Sequence, residues 1–234
     1  MMRHKMVLKA KILTIFPEIF PGFLGYSLTG RALKEGLWQL ETVNIRDYAF
    51  DKHGSVDDTP CGGGAGMIMR PDVLGNAIEH NYEGGKIIYM SPKGKPLTQA
   101  KVKELSKLEN LTVICGRFEG IDERVIEEYD IEEISIGDYV LTGGEQAAMI
   151  MLDAVVRLLP GVLGNAASTE NESFEDNLLE YPQYTRPISW KGREVPEILM
   201  SGHHENIAKW QKQQALQITK ERRPDLLEKI LDSK

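Results

Sequence analysis

The sequence has 234 residues, 41% of them hydrophobic, so the chain can bury a core without disulfides or metals. At roughly 150 residues per domain, this length corresponds to one large domain and a smaller one. The 35 Asp and Glu residues outnumber the 28 Lys and Arg residues, which excludes a simple polycation that coats nucleic acid. Two cysteines, Cys61 and Cys115, exclude a disulfide scaffold and a four-cysteine zinc site.

The sequence shows neither a long apolar stretch nor a secretory leader. The best candidate for a membrane span, residues 147–156, is shorter than the ~18 residues that a span needs, and it contains Asp153. The first residues lack the apolar core and the cleavage site of a signal peptide. We therefore expect a cytoplasmic protein without a membrane segment.

The charge is distributed unevenly along the chain. Residues 181–234 contain ten Lys or Arg and seven Asp or Glu, whereas residues 1–180 carry the acidic excess. A basic end on an acidic chain indicates an anionic partner that is bound by this end, although a solvated surface gives the same pattern.

The first third of the chain predicts strands from its alternation of apolar and polar residues. We predict strands at 7–16 and 37–45 and a helix at 28–34. The polar stretch 46–66 has no periodicity and is predicted to be a loop. Because proline fits the first turn of a helix, we predict another helix at 71–80.

From residue 86 onward, short apolar runs alternate regularly with amphipathic stretches. We predict strands at 86–90, 111–115 and 131–136, and helices at 98–109, 121–129 and 145–159. Strands and helices that alternate at this spacing form a parallel sheet with helices on both faces. The predicted fold class is therefore α/β.

The last of these helices is followed by a polar, acidic stretch and then by two further predicted helices, at 206–220 and 224–231. We divide the chain into a large domain at 1–163, a flexible linker at 164–176 and a small helical domain at 177–234. The small domain is too short for a stable core of its own, so we expect it to dock on the large domain or on a partner.

Glycine- or proline-bearing segments follow three of the predicted strands, at 91–94, 116–120 and 137–145. The carboxyl ends of parallel strands meet at one edge of the sheet, where ligands bind. Three such segments side by side offer backbone groups to a flat polar ligand such as a nucleoside, although each segment could be an ordinary turn. The two common glycine-rich phosphate-binding motifs are absent from the sequence.

Three other features carry weaker signals. The glycine-rich stretch 62–66 predicts a flexible flap or a plain loop. His203-His204-Glu205 lacks the spacing of a zinc motif, so we assign no metal ligand. Cys115 ends an apolar strand and is predicted to be a core residue.

Two long motifs closely resemble those of bacterial tRNA (guanine-N1)-methyltransferases: Gly-Arg-Phe-Glu-Gly-Ile-Asp-Glu-Arg at 116–124, and Ser-Ile-Gly-Asp-Tyr-Val-Leu-Thr-Gly-Gly-Glu at 135–145. The resemblance runs nearly end to end. It includes Ile-Phe-Pro-Glu (15–18), Gly-Arg-Ala-Leu (30–33), Met-Ser-Pro-Lys-Gly (90–94), Arg-Leu-Leu-Pro-Gly-Val-Leu-Gly (157–164), Tyr-Thr-Arg-Pro (184–187) and Leu-Met-Ser-Gly-His-His (199–204). Enzymes of this family methylate guanine 37, the nucleotide 3′ of the anticodon.

The resemblance implies a fold and a cofactor that the residue pattern does not reveal. The large domain should contain a C-terminal trefoil knot of the SPOUT type, and knots are nearly absent from other proteins. S-adenosylmethionine should bind in the knot as methyl donor, magnesium should assist, and the chain should form a homodimer with each active site at the interface. The cofactor-binding positions implied are Tyr89, Met90, Ser91, Pro92, Gly116, Glu119, Gly120, Ser135, Ile136, Gly137, Asp138, Tyr139, Val140, Leu141, Gly143 and Gly144.

The resemblance also implies two residues that act on the guanine. An arginine of the family maps onto Arg157, and Glu172 stands where the family has an aspartate, so the carboxylate gains one methylene. A carboxylate in hydrogen-bond reach can accept the N1 proton of guanine, and a guanidinium can stabilise the negative charge that develops on O6. Glu170 and Glu175 are alternative bases in the same stretch.

The glycine-rich stretch departs from the family pattern, because Cys61 and Ala65 stand where the family usually has tyrosine and proline. This difference concerns the fine contacts with the guanine and not the reaction.

The basic end of the chain provides candidate contacts with tRNA phosphates. They are Arg186, Lys191, Arg193, Lys209, Lys212, Arg222 and Arg223. Trp190 or Trp210 could stack on a base or simply pack within the protein. Two other functions stay open at this point: an RNA-binding protein with a nucleoside-sensing pocket and no catalysis, and a SPOUT methyltransferase that acts on ribosomal RNA.

Overall fold

The computed structural model describes residues 7–164 and 172–232. Its contacts divide the chain into two units, Met1–Gly164 and Asn165–Lys234. Most of the predicted linker, residues 165–171, lies outside the described residues, and so does the alternative base Glu170.

The first unit alternates strands and helices in nearly the predicted order. Its strands are β1 (Leu8–Thr14), β2 (Trp38–Asn44), β3 (Asp57–Asp58), β4 (Ile68–Met69), β5 (Lys86–Pro96), β6 (Asn110–Ile114) and β7 (Glu132–Ser135). Its helices are α1 (Ser27–Lys34), α2 (Pro71–Asn81), α3 (Gln99–Leu105), α4 (Glu123–Glu128) and α5 (Glu145–Arg157).

Five of the strands form one parallel sheet in the order β2-β1-β6-β5-β7. Successive side chains of a strand point to opposite faces, and in β1 Ile12 belongs to one hydrophobic core while Leu13 belongs to the other. Helices α1, α3 and α5 contribute to the first core, and α2 and α4 contribute to the second. The prediction of a parallel α/β sheet is confirmed, and its carboxyl edge is therefore the place to look for a site.

Several local predictions were wrong in their extent. The helix predicted at 98–109 ends at Leu105. Strand β5 does not end at Met90 but continues to Pro96, with a register shift between Met90 and Lys95 against β7. The polar residues after Met90 gave no strand signal, because this part of the strand is held by pairing rather than by burial. The predicted loop 46–66 contains β3, which pairs with β4 in an antiparallel ladder of two residues a strand.

Helix α4 begins two residues later than predicted, because Asp122 is its N-cap. The Asp122 carboxylate accepts a hydrogen bond from the backbone N–H of Arg124 at 3.0 Å, which satisfies one of the free donors at the start of the helix.

The second unit contains α6 (His204–Arg222) and α7 (Pro224–Asp232), which confirms both helices predicted for this region. Proline opens α7, as its fixed φ allows. A short hairpin of β8 (Ser189–Trp190) and β9 (Arg193–Glu194) precedes them, and the sequence pattern did not predict it. Within the described part of the chain, no helix is both long and apolar enough to span a bilayer.

Candidate functional site

Three segments at the carboxyl edge of the sheet surround one cavity of about 310 Å³: one lies within β5, at its register shift, and the other two follow β6 and β7. They are the β5 loop (residues 91–94), the β6 loop (residues 116–120) and the β7 loop (residues 136–144). Every position that the resemblance assigned to the cofactor lines this cavity except Asp138. The volume falls in the range of small-molecule sites, about 300–1,000 Å³.

Backbone hydrogen bonds hold the loops beside one another. The N–H of Gly144 in the β7 loop donates to the carbonyl of Gly116 in the β6 loop at 3.0 Å. The hydroxyl of Ser135 donates to the carbonyl of Gly137 at 3.0 Å and accepts from its N–H at 3.2 Å, which shapes the start of the β7 loop. These bonds fix the spacing of the β6 and β7 loops and the course of the chain where the β7 loop begins.

The buried Tyr89 at the end of the regular part of β5 sets the position of the β6 loop. A Cβ atom on Gly116 would lie 2.6 Å from Tyr89 Cε2, so only glycine allows the loop to approach the ring this closely. Burial, together with the nearby charge of Glu133, raises the pKa of the Tyr89 phenol to about 12. Tyr89 is therefore neutral at physiological pH and serves as a packing surface for the loop.

The cavity combines an apolar surface with polar groups, as a nucleoside site requires. Met90, Ile136, Leu141 and Ala147 offer apolar contacts, and the loops add backbone donors and acceptors. Val140 on the β7 loop is 83% exposed, which leaves an apolar rim open for contact with a second molecule.

Sequence reasoning missed some of the residues that line the cavity. They are Arg117, Phe118, Ile134, Thr142 and Ala147. Most of them lie inside or directly beside the two long motifs, so the signal was present. The directions of their side chains could not be predicted from the sequence, because they depend on how the loops fold over the sheet.

The glycine-rich stretch borders the β6 loop. The N–H of Glu119 donates to the carbonyl of Met67, and the N–H of Met69 donates to the carbonyl of Gly120, both at 2.9 Å. These bonds attach the residues that follow the stretch to the β6 loop, while Gly62 and its neighbours are exposed. Cys61 is exposed and Cys115 is completely buried, as a core residue is expected to be.

The two candidate catalytic residues lie in different units. Arg157 is the half-buried last residue of α5, and Glu172 is half-buried at the start of the described part of the second unit. Helix α5 begins at the cavity, but of its residues only Ala147 lines it. At 1.5 Å per residue, Arg157 lies roughly 15 Å beyond Ala147 along the helix. The first unit therefore does not bring Arg157 to its own cavity.

Possible metal ligands are not clustered among the residues that the structure describes. Residues 7–164 and 172–232 contain no group of three or more His, Cys, Asp or Glu side chains arranged to hold an ion. His203 and His204 are exposed, at the start of α6.

Comparison with known proteins shows the family to which this chain is similar. The family model "tRNA (Guanine-1)-methyltransferase TrmD" matches residues 8–229. A tRNA (guanine-N(1)-)-methyltransferase of Ruegeria sp. (strain TM1040) is 60% identical, over 94% of this chain and 92% of its own length. The enzymes of the same name from Mesorhizobium japonicum and Rhizobium etli are 60% and 54% identical, and the alignments cover 95% and 98% of this chain and 97% and 99% of theirs. The chain belongs to the tRNA (guanine-1)-methyltransferase family.

Proposed function

We propose that this protein transfers a methyl group from S-adenosylmethionine to N1 of guanine 37 in tRNA, next to the anticodon. The observation that carries the proposal is the cavity at the carboxyl edge of the sheet, since the family motifs and the cavity wall coincide there. The name of the relatives states that N1 of guanine is methylated, and the resemblance of the two long motifs indicates position 37 of the tRNA.

The cavity suits the adenosyl group in size and polarity. The apolar side chains of Ile136 and Leu141 fit a flat ring, and the backbone of the three loops fits its polar edges. When bound, S-adenosylmethionine supplies a methyl group that its positive sulfur has already activated. The task of the protein is therefore mainly to position the two reactants and to move one proton.

Glu172 is assigned the removal of the guanine N1 proton, and Arg157 is assigned the stabilisation of the negative charge that develops on O6. N1 of guanine carries a proton at neutral pH, and the Glu172 carboxylate accepts this proton as general base. Loss of the proton leaves an electron pair on N1, which would form the bond to the methyl carbon while the carbon–sulfur bond breaks and its electron pair stays on sulfur, giving the neutral thioether as leaving group. Loss of the proton also spreads negative charge to O6. The guanidinium of Arg157 stabilises this charge with a charge-assisted hydrogen bond. Glu175 is the fallback for the base, as is Glu170.

The position of Arg157 supports a homodimer with composite sites. Because Arg157 stands roughly 15 Å from its own cavity along α5, we assign the arginine at each site to the partner subunit. Phe23, Leu28 and Ile150 are exposed apolar residues on elements of the first unit that pack against one another, as expected of a surface that a second copy covers. In an isologous dimer both sites are built alike.

The knot is part of the same proposal. The β7 loop runs back from the edge strand β7 to the end of β6, where Gly144 bonds to Gly116. This return path supports the SPOUT-type crossing near the carboxyl ends of β5 and β6.

For magnesium we assign no protein ligand, because Mg²⁺ often keeps its waters and binds substrate phosphates with one or two carboxylates.

The second unit is proposed to be a small helical domain that binds tRNA in the cytoplasm. Its Lys and Arg residues supply contacts with tRNA phosphates. Its two tryptophans differ in whether their rings are free to stack on a base. Trp210 packs on Tyr184 with 6.3 Å between ring centroids. Trp190 on the β8–β9 hairpin is 58% exposed, with Lys191 Nζ 4.9 Å from its ring centroid. An exposed ring beside a cation is typical of a surface that stacks on an unpaired base.

Replacing Trp190 by alanine is expected to weaken tRNA binding on the order of tenfold, because base stacking on an aromatic ring contributes ~1–3 kcal/mol. Trp190→Tyr keeps an aromatic face and should retain most of the affinity, and S-adenosylmethionine should bind both variants as it binds wild type. Fluorescence anisotropy with labelled tRNA measures the effect. An unchanged affinity in Trp190→Ala would assign the tRNA contact to other residues.

Methylation of two tRNA transcripts tests the proposed function directly. A transcript with guanine at position 37 should accept the methyl group from labelled S-adenosylmethionine, and the same transcript with adenine at that position should not. Nuclease digestion and mass spectrometry should identify 1-methylguanosine. Methylation of ribosomal RNA instead would favour the ribosomal alternative, and binding of RNA without any transfer would favour the non-catalytic one.

A further inference from the structure

A carboxylate is completely buried beside the cavity. Glu145, the first residue of α5, has no exposed surface, and a charge at such a place is costly unless it is paired. Its Oε1 accepts hydrogen bonds from Thr14 Oγ1 at 2.7 Å and from Arg117 Nε at 3.2 Å. Its Oε2 lies 2.9 Å from Arg117 Nη2, an ion-pair contact without the angle of a directed hydrogen bond.

Arg117 connects this carboxylate to the cavity loops. It belongs to the β6 loop, and its Nη1 donates to the carbonyl of Thr142 in the β7 loop at 3.2 Å. Its guanidinium carbon lies 4.5 Å from the centroid of the Phe16 ring. A Cβ atom on Gly143 would lie 2.7 Å from Arg117 Cδ, so glycine lets the β7 loop close over the arginine. One ion pair thus joins the end of β1 to both loops.

The members of this group differ in their access to a ligand. Arg117, Thr142 and Gly143 line the cavity, whereas Glu145 and Thr14 do not. Glu145 cannot touch a molecule in the cavity and can act on it only through Arg117. Its burial at the N-terminus of α5 also places its negative charge where the helix dipole favours it.

We propose that Glu145 is a positioning residue for the methyl donor: through Arg117 it fixes the β6 and β7 loops at the spacing that binds the adenosyl group. The inference rests on the proposed function, since it takes S-adenosylmethionine as the ligand of the cavity. Loops that are already held in their bound conformation lose less freedom when the ligand binds, so the ion pair contributes to affinity without touching the ligand.

Three substitutions test this role by isothermal titration calorimetry with S-adenosylmethionine. Glu145→Gln keeps the size of the side chain but removes the counter-charge of Arg117, and we expect Kd to rise about tenfold or more. Thr14→Val removes the hydroxyl that holds Oε1 and should raise Kd about threefold. Thr14→Ser keeps this hydroxyl and should bind as wild type does.

The kinetic signature separates positioning from chemistry and from general loss of structure. In Glu145→Gln, KM for S-adenosylmethionine should rise while KM for tRNA and kcat at saturating cofactor stay within about threefold of wild type. Glu104→Gln is the matched control, because Glu104 pairs with Lys86 and Lys101, each at 2.8 Å, and does not line the cavity. This variant should keep the cofactor affinity of wild type.

Several results would overturn the inference. One is a folded Glu145→Gln variant that binds S-adenosylmethionine with wild-type affinity. Another is a loss of kcat in this variant with unchanged KM, which would place Glu145 in the chemical step. If Glu145→Gln does not fold, the Thr14 pair decides, and equal affinities of the valine and serine variants would refute the role. Failure of the wild-type protein to bind S-adenosylmethionine would instead refute the proposed function itself.

Discussion

Replacing Glu172 by glutamine is expected to lower the single-turnover rate of methyl transfer by about 10²-fold or more, the contribution typical of a general base. Glutamine keeps nearly the same shape but cannot accept the N1 proton of guanine. S-adenosylmethionine should bind this variant as it binds wild type, because every residue that lines the cavity lies upstream, in the first unit. Rapid-quench measurement with enzyme in excess over tRNA isolates the chemical step.

Two further variants show whether the effect belongs to the base. Glu172→Asp restores the residue that the family usually carries and should transfer methyl groups within about tenfold of the wild-type rate. Glu180→Gln removes a carboxylate from the same unit, where it accepts a hydrogen bond from Gln183 at 2.6 Å, and should leave the rate unchanged. A near-wild-type rate in Glu172→Gln would move the base to Glu170 or Glu175.

Mixing two inactive variants is expected to restore roughly a quarter of wild-type activity if the sites form between subunits. In Gly143→Trp the cavity is blocked, because even a Cβ at this position meets Arg117. In Glu172→Gln the base is missing. After subunit exchange about half of the dimers are mixed, and each mixed dimer has one site with both defects and one with neither. If each subunit builds its own site, every site keeps one defect and no activity returns.

The reverse mixture provides the control. A chain that carries both substitutions, mixed in equal amounts with wild type, should leave about a quarter of the activity if sites form between subunits and about half if they form within one. Arg157→Ala in place of Glu172→Gln extends the test to the arginine at the far end of α5. Native mass spectrometry confirms that mixed dimers are present, and no recovery in confirmed mixed dimers would refute the composite site.

Periodicity and motif spacing determined much of this protein from the sequence by itself. The alternation of apolar runs and amphipathic stretches after residue 86 predicted the parallel sheet, because strands buried on both faces carry short continuous apolar runs. The rule that ligands bind at the carboxyl ends of parallel strands then selected three loops, and the structure places all three around one cavity. These inferences needed only local pattern, which a single sequence contains.

Residues whose role depends on distant contacts could not be predicted in this way. Asp138 lies within a motif that lines the cavity but does not line it itself, and Arg117 does line it although it was not selected. Strand β5 continues past Met90 because β7 pairs with it after a register shift, which no periodicity records.

The buried Glu145 shows most clearly what only the tertiary structure decided. From the sequence it is an acidic residue at the start of a helix, where a solvated position is the ordinary expectation. Its hydrogen-bond partner Thr14 stands 131 residues away along the chain, and the arginine that pairs with it comes from a different loop. A charge can be buried only where such partners converge, and their convergence is a property of the folded sheet and not of any local stretch of sequence.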